Sequence, residues 1–448
     1  MSGLGHDRAL ALAEAALATD GADGVEVVIT ASDSALTRYA DSRIHQNTAR
    51  VDGEARIRVV VDGDRIGVVA TNDLSADSVA RAARAAVETA QVTPRDATFA
   101  GFAQPAEYAD AGAFDEATAS LAPAARAEFV AAMLAVLPRE VFGSGAVESG
   151  RAELAVANSN GVRAYAQTTR SAASILAAGE TSTGFAEATR VGFGELDADA
   201  LAERAARKVE QGRNPRALPP GDYAVVLEPA ATATLVEFLC WTAFSSKEFL
   251  DGRSPFSGRL GEQVCDPRVT IVDDALSPLL PGVPFDFEGV PKRRLPLIDK
   301  GVVAGVTHDL ATAHAAGVEP TGHGLPAPNA DGGYPLHPMI DPGDTPLDDL
   351  IAGLARGLIV TRFHYTNVVN PMDTSITGMT RDGTFLVEDG AIVGGVHNLR
   401  FTQSILAALS SIEAIGSDTE TASELFFGCC RAPALRLSNF RFTSSTTF

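Results

Sequence analysis

Three dipeptides constrain this chain more than anything else in it: Asp62-Gly63, Asn160-Gly161 and Asp389-Gly390. Each offers residues that tolerate positive φ, which a tight hairpin needs if its twist is to match the flanking strands. Extended segments flank them, at 55–61 and 65–70 around the first and 384–388 before the last. Antiparallel pairing is therefore expected in every third of the chain. Helical segments lie between these hairpins, so the pattern is α+β rather than alternating βαβ.

Residues 7–18 read as a helix, and 25–30 as a strand with Val25, Val27 and Ile29 on one face. Ser75 precedes an Ala-rich helix that stops before Pro94. Pro, Gly, Ala and Asp without a period over 93–121 suggest a boundary. Beyond it come a helix at 122–137, the second hairpin and a helix at 197–211, and then a linker at 212–221 that holds three prolines. A strand at 223–227 and a helix from about Ala230 open the last unit. There, Thr345 as N-cap, Pro346 at the first turn and apolar Leu347, Leu350, Ile351 and Leu354 predict a helix ending at Gly357. Ile405, Leu406, Leu409 and Ile412 predict another over 404–415, closed by Gly416. The Gly/Pro-rich stretch 317–345 exceeds the usual loop length and reads as a lid or a mobile segment. The expected organisation is a two-lobed α+β protein. It has an N-terminal helix/antiparallel-sheet domain (1–110), a central α+β region (111–218) and a larger β-rich C-terminal domain (219–448).

Composition excludes several functions. The chain has 448 residues, enough to bury large cores without disulfides or metals. Its 36 Lys plus Arg against 57 Asp plus Glu give a net charge of −21, which repels phosphate backbones and anionic lipid. Nucleic acid and membrane are therefore not expected partners. No apolar run is long enough to span a bilayer, and MSGLGHDRAL has no basic region followed by an apolar one, so a cytoplasmic location is expected. Cys240, Cys265, Cys429 and Cys430 are too few and too unevenly placed for a secreted disulfide framework.

Several phrases recur in one order: VANSNGVRAYAQ at 156–167, GDYAVVLEPAATATLVEFL at 221–239, PFDFEG at 284–289, FLVEDGAIV at 385–393 and AIGSDTE at 414–420. In this order the chain resembles the TldD/PmbA family of peptidases, whose members work as pairs of related subunits. The resemblance covers almost the whole length. It implies a zinc motif, His-Glu-x-x-x-His, on the helix after AVVLEP, where two imidazoles hold a metal and an acid adjoins its water. The aligned positions here are Glu237, Phe238 and Thr242, and residues 230–254 contain no histidine. Phe238 cannot act as a base and Thr242 is a poor zinc ligand. This departure resembles the TldE (PmbA) branch, which keeps the fold and lacks the metal. What that implies is a pseudoenzyme without cofactor, paired with a TldD-like zinc subunit as a heterodimer, or with itself as a homodimer. The pair would enclose a chamber in which extended peptides are cut.

Other groups could carry chemistry. His308 and His314 are six apart and cannot share a metal from one helix face. His323 and His337 could reach His364 or a cysteine from their loop. Cys429 and Cys430 read as small buried hydrophobes beside a strand at 434–442, although the family supplies a cysteine ligand nearby. Asp273-Asp274 reads as a solvated turn, since calcium-loop spacing is absent. Asn158 to Gly161 reads as a hairpin turn. His364, Asn367, Asn370, Asp373 and Ser375 concentrate hydrogen-bonding groups in a polar loop, where they either form turns or line the chamber and bind peptide backbone. Three readings follow: a metal-free subunit of a peptidase, a self-sufficient hydrolase with an improvised site, and a peptide-binding adaptor with no enzymatic partner.

Overall fold

The computed structural model describes residues 3–422 and 428–446. Its first part runs α1 (His6–Leu17), β1 (Gly24–Ala40), β2 (Arg43–Val61), β3 (Arg65–Thr71), α2 (Ala76–Val92), α3 (Glu116–Ala119), α4 (Pro123–Val136), β4 (Phe142–Asn158), β5 (Arg163–Ala178), β6 (Thr183–Arg190) and α5 (Ala198–Gln211). The six strands form one antiparallel sheet in the order β3-β2-β1-β4-β5-β6. Strands from both sides of residues 93–121 therefore share hydrogen bonds.

Side chains alternate across a strand, and here the alternation divides the sheet by residue parity. Odd-numbered Val25, Val27, Ile29, Ile57 and Ala157 pack under α1 and α2, and odd-numbered Tyr39, Val147, Ala173 and Ile175 pack under α4 and α5. The opposite face, through Val28, Leu154, Val156 and Ala164, meets Phe285 and Val290 of the C-terminal lobe. One face thus builds the domain core and the other confronts the second lobe. Ser75 caps α2 by accepting from the Ser78 amide, and Asp197 caps α5 through the Ala200 amide.

The C-terminal lobe runs β7 (Gly221–Leu227), α6 (Pro229–Ala243), α7 (Ser246–Leu250), β8 (Ile271–Asp273), β9 (Leu295–Asp299), β10 (Val302–Val303), α8 (Leu310–Ala316), β11 (Pro338–Ile340), α9 (Leu347–Ala352), β12 (Arg356–Asn370), β13 (Ser375–Glu388), β14 (Ala391–Gly395), β15 (Leu399–Ser404), α10 (Ile405–Ser410), β16 (Ile412–Thr421) and β17 (Arg431–Ser445). Strands β17, β15, β13, β12 and β7 pair in succession, and β17 pairs again with β7, which closes a five-stranded ring. Helix α6 contributes most of its residues to the lobe's largest core cluster. Pro229 at its start suits the first turn, where a missing N–H costs nothing.

Two expected hairpins have the dihedrals their residues imply: Asp62 and Gly63 at φ 52° and 83°, and Asp389 and Gly390 at 49° and 75°. The third is wider. Residues 159–162 separate β4 from β5, and the Asn158 side chain holds the loop by accepting from the Asn160 and Val162 amides. Two helices are shorter than their periodicity predicts. The one expected to end at Gly357 stops at Ala352, with Pro346 rather than Thr345 at its cap, because residues from Arg356 onward pair with β7 and β13. Gly357 lies inside that strand, where a Cβ would come within 2.5 Å of the Ala224 carbonyl oxygen. The helix expected to reach Ile415 ends at Ser410, since Ile412 and Ala414 pair with Leu437 and Arg436 on β17. Gly416 is thus a strand residue rather than a helix cap. In both places tertiary pairing overrides a local helical pattern.

Candidate functional site

Helix α6 is buried nearly all round, and it carries Glu237, Phe238 and Thr242, the positions that the sequence aligns with a zinc motif. Thr242 Oγ1 donates back to the Phe238 carbonyl at 2.8 Å, so its hydroxyl serves the helix itself. Phe238 is buried, with its ring 5.9 Å from that of Trp241. Only Glu237 retains a metal-binding type of side chain. Truncating Phe238 to Ala should leave a cavity and cost about 3–5 kcal/mol by urea denaturation, whereas a general acid at this position could be truncated with little loss of stability.

Below α6 lies a buried polar cluster that the sequence did not reveal as one unit. Burial, helped by the charges of Asp273 and Glu237, raises the Cys240 thiol well above its ordinary value. Burial and then Glu237 do the same to Cys430. Tyr334 is raised by burial and by the same neighbours. The α6 positions offer a carboxylate, a phenyl ring and a back-bonded hydroxyl, and no imidazole accompanies them on this helix, so they do not fit the metal that the motif would hold. Among the described residues, no group of three or more His, Cys, Asp or Glu is placed to hold a metal ion.

Asp273, expected in a solvated turn, is instead buried on β8. Its carboxylate lies 3.0 Å from His323 Nε2 and accepts the His337 amide at 2.7 Å. Burial opposes its ionisation, yet His323, Lys292 and His337 together hold its carboxyl below the usual range. At His323 burial outweighs Asp273 and lowers the imidazole pKa. The pair near neutral pH is thus a neutral imidazole donating to a carboxylate, with Thr321 Oγ1 at 2.9 Å from the other ring nitrogen. His364 does not join these histidines. It sits on β12 against Tyr365, with ring centroids 4.6 Å apart, and among the described residues no group of three His, Cys, Asp or Glu that could hold a metal includes it.

The polar loop expected at 364–375 is the end of β12, a short 3-10 turn and the start of β13. Asn370 accepts the Met372 amide and donates to Asp373, whose other oxygen accepts the Ser375 amide. Asn367 donates to the Tyr365 carbonyl. The hairpin thus uses these side chains for its own turn, and its tip leaves Tyr365, Val369 and Met372 exposed. None of the five residues lines the cavities described below.

The PFDFEG phrase forms a clasp between the lobes. Arg58 of β2 lies 2.9 Å from Glu26 of β1 and 3.3 Å from Glu288 of the phrase. Glu288 also accepts the Leu310 amide, and Asp286 accepts the amides of Glu288, Val290 and Gly324. One buried guanidinium faces more carboxylate than it can neutralise, and burial pushes both Asp286 and Glu288 upward. A carboxyl raised in the fold favours folding below its unfolded pKa, and that contribution is lost as pH rises towards the folded value. Urea midpoints should therefore fall as pH climbs from the ordinary carboxylate range into neutrality. The Glu288→Gln variant should flatten that slope, and an unchanged slope would remove Glu288 as its source.

Two adjoining cavities of about 500 and 510 Å³ lie between the even-numbered face of the N-terminal sheet and the C-terminal lobe. They share Ser32, Arg50, Ala152 and Thr168, which makes them one cleft across the strands. A separate cavity of about 650 Å³ lies between α5 and the C-terminal sheet, where Lys208 and Glu228 pair at 2.5 Å. No helix among the described residues is long and apolar enough to cross a membrane.

The chain thus sets a six-stranded α+β lobe against a ring-closed β lobe, with α6 in the core of the latter. Models of the PmbA/TldA metallopeptidase match domain 1 over residues 25–90, the central domain over 114–212 and the C-terminal domain over 220–444. The chain belongs to the TldD/PmbA family. Its fold is similar to the crystal structure of TldE from Thermococcus kodakarensis, with TM-score 0.89 and 21% identity over 98% of this chain and 100% of that one. A metalloprotease of Methanothermobacter thermautotrophicus is 28% identical over 51% of this chain and 50% of its own length. The metalloprotease TldD homolog of Haemophilus influenzae is 27% identical over 53% and 49%. The chain spans about half the length of these two curated relatives.

Proposed function

We propose that this chain is the metal-free, TldE-like member of a two-subunit peptidase, acting in the cytoplasm on unstructured peptides and relying on a TldD-like subunit for zinc. The observation that carries this reading is the donor set on α6. On this reading Glu237, a buried Phe238 and a back-bonded Thr242 take the places of two imidazoles and an acid. The fold shared with a TldE supports the same branch. Exposed Trp241, Tyr365, Val369 and Met372, on α6 and the adjacent hairpin, give an apolar surface suited to pairing. A partner seated there would turn His364, Asn367, Asn370, Asp373 and Ser375 inward, where they line the chamber and hold peptide backbone.

Affinity capture of the tagged chain from its native cell tests the pairing. A co-purifying chain bearing His-Glu-x-x-x-His is the expected result. Capture of this chain alone, as a homodimer with peptidase activity, would point to the self-sufficient enzyme instead.

A further inference from the structure

The N-terminal sheet has one unfinished edge. Strand β2 pairs with β1 from Arg43 to Val60, whereas β3 covers its other side only from Ala55 to Val61. Residues 43–52 are all exposed, and among the described residues no backbone group of this stretch bonds to anything other than β1. Successive residues of an antiparallel strand send their N–H and C=O groups to opposite sides. The Gly53 carbonyl accepts from the Asn72 side chain at 3.1 Å, just past the end of β3, so the backbone of Gly53 faces away from β1. Register with β1 is unbroken from Gln46 to Gly53, so Asn47, Ala49 and Val51 face the same way. Their N–H groups and carbonyls stand in a row that no other strand among the described residues takes up.

Proteins usually blunt such an edge with proline, lysine, a bulge or a covering segment. None of these protects β2 between Gln46 and Asp52. Alternating donors and acceptors along an extended line match one kind of ligand, another main chain in β conformation. The edge also borders the cleft between the lobes, since Thr48, Arg50, Asp52 and Glu54 of the same strand line its two cavities. Residues 43–51 include Arg43 and Arg50 and no carboxylate. A second copy of the chain suits this edge less well than a short peptide, because two bodies of net charge −21 repel each other.

We propose that β2 takes up an extended peptide segment as a seventh strand of this sheet, held by main-chain hydrogen bonds to Asn47, Ala49 and Val51. The inference rests on the reading that this chain holds unstructured peptides, and it adds where they are held and in what conformation. Main-chain pairing is indifferent to side chains, which suits varied segments. Alternate side chains of the added strand fall on the cleft side of the sheet.

The test uses the full-length chain and a fluorescent unstructured peptide. Hydrogen exchange read residue by residue should show the Asn47, Ala49 and Val51 amides protected when peptide is added, with no further protection of Thr48 and Arg50, which face β1. The Ala49→Pro variant removes one outward N–H and leaves the β1 ladder intact, since proline is tolerated where the N–H points off the edge. Anisotropy should show it binding the peptide about fivefold more weakly or worse, as the loss of one main-chain bond implies. Peptide binding that leaves the three wild-type amides unprotected would overturn the proposal while leaving peptide holding intact, as would equal affinity of the wild type and Ala49→Pro. Protection that is complete without peptide and grows with chain concentration would overturn it in favour of a second copy on the edge. No binding of the peptide at all would overturn both this proposal and the reading beneath it.

Discussion

Mixed with a zinc-bearing subunit that carries His-Glu-x-x-x-His, this chain should produce peptide cleavage that neither component shows alone. The expected change is large because it is all of the chemistry. Enzymes accelerate such reactions on the order of a million-fold or more, and a metal-activated water is the usual means in this class. On α6, Phe238 has no proton to move and Thr242 spends its hydroxyl on the helix backbone. Cys240 and Cys430 are buried thiols held in their protonated form. On the proposed reading, the chain's contribution is to hold substrate and complete the chamber while the partner supplies the nucleophile. Cleavage by the chain alone, lost on mutation of His364 or Cys430, would favour the self-sufficient hydrolase.

Replacing Arg58 by Met should destabilise the protein by about 3–5 kcal/mol, the cost of leaving a buried charge without its partner. Glu26 and Glu288 both face that guanidinium, and both are largely withdrawn from water. With Arg58 gone, Glu26 on the sheet loses its counter-charge, and Glu288 of PFDFEG loses the guanidinium that lies against it across the lobes. Methionine fills much of the volume, so the loss is electrostatic rather than a packing void. Adding Glu26→Gln to Arg58→Met should recover part of the stability, since residues in one ionic network couple strongly. Urea denaturation of the single and double variants measures this. Additive losses would show that the clasp does not work as an ionic unit.

Much of the fold was legible because its signals are local. Hairpins at Asp62-Gly63 and Asp389-Gly390, caps at Ser75 and Asp197, and the helix start at Pro229 depend on a few neighbouring residues. The ends of α9 and α10 were not legible, because distant strands recruit Arg356 and Ile412 into sheet pairing. The six-stranded sheet joins segments more than a hundred residues apart, and no periodicity reports such a contact. At the site, the absence of histidine over residues 230–254 and the residue types at Glu237, Phe238 and Thr242 could be read directly. The Asp273–His323 pair could not, because its members lie fifty positions apart and become partners only when β8 and the loop before β11 meet. The five polar residues of 364–375 left a turn and a binding role both open, because Asn and Asp at a strand's end look the same in sequence whether they serve a turn or a ligand. The run ELFFG before Cys429 falls largely outside the described residues.

Elemental analysis of the purified chain, prepared without its partner in zinc-containing buffer, tests the central claim most directly. The account predicts metal at background level and a thermal midpoint that a chelator does not move. One zinc per chain, removed by chelation together with a fall in stability, would mean that these side chains build a metal site after all.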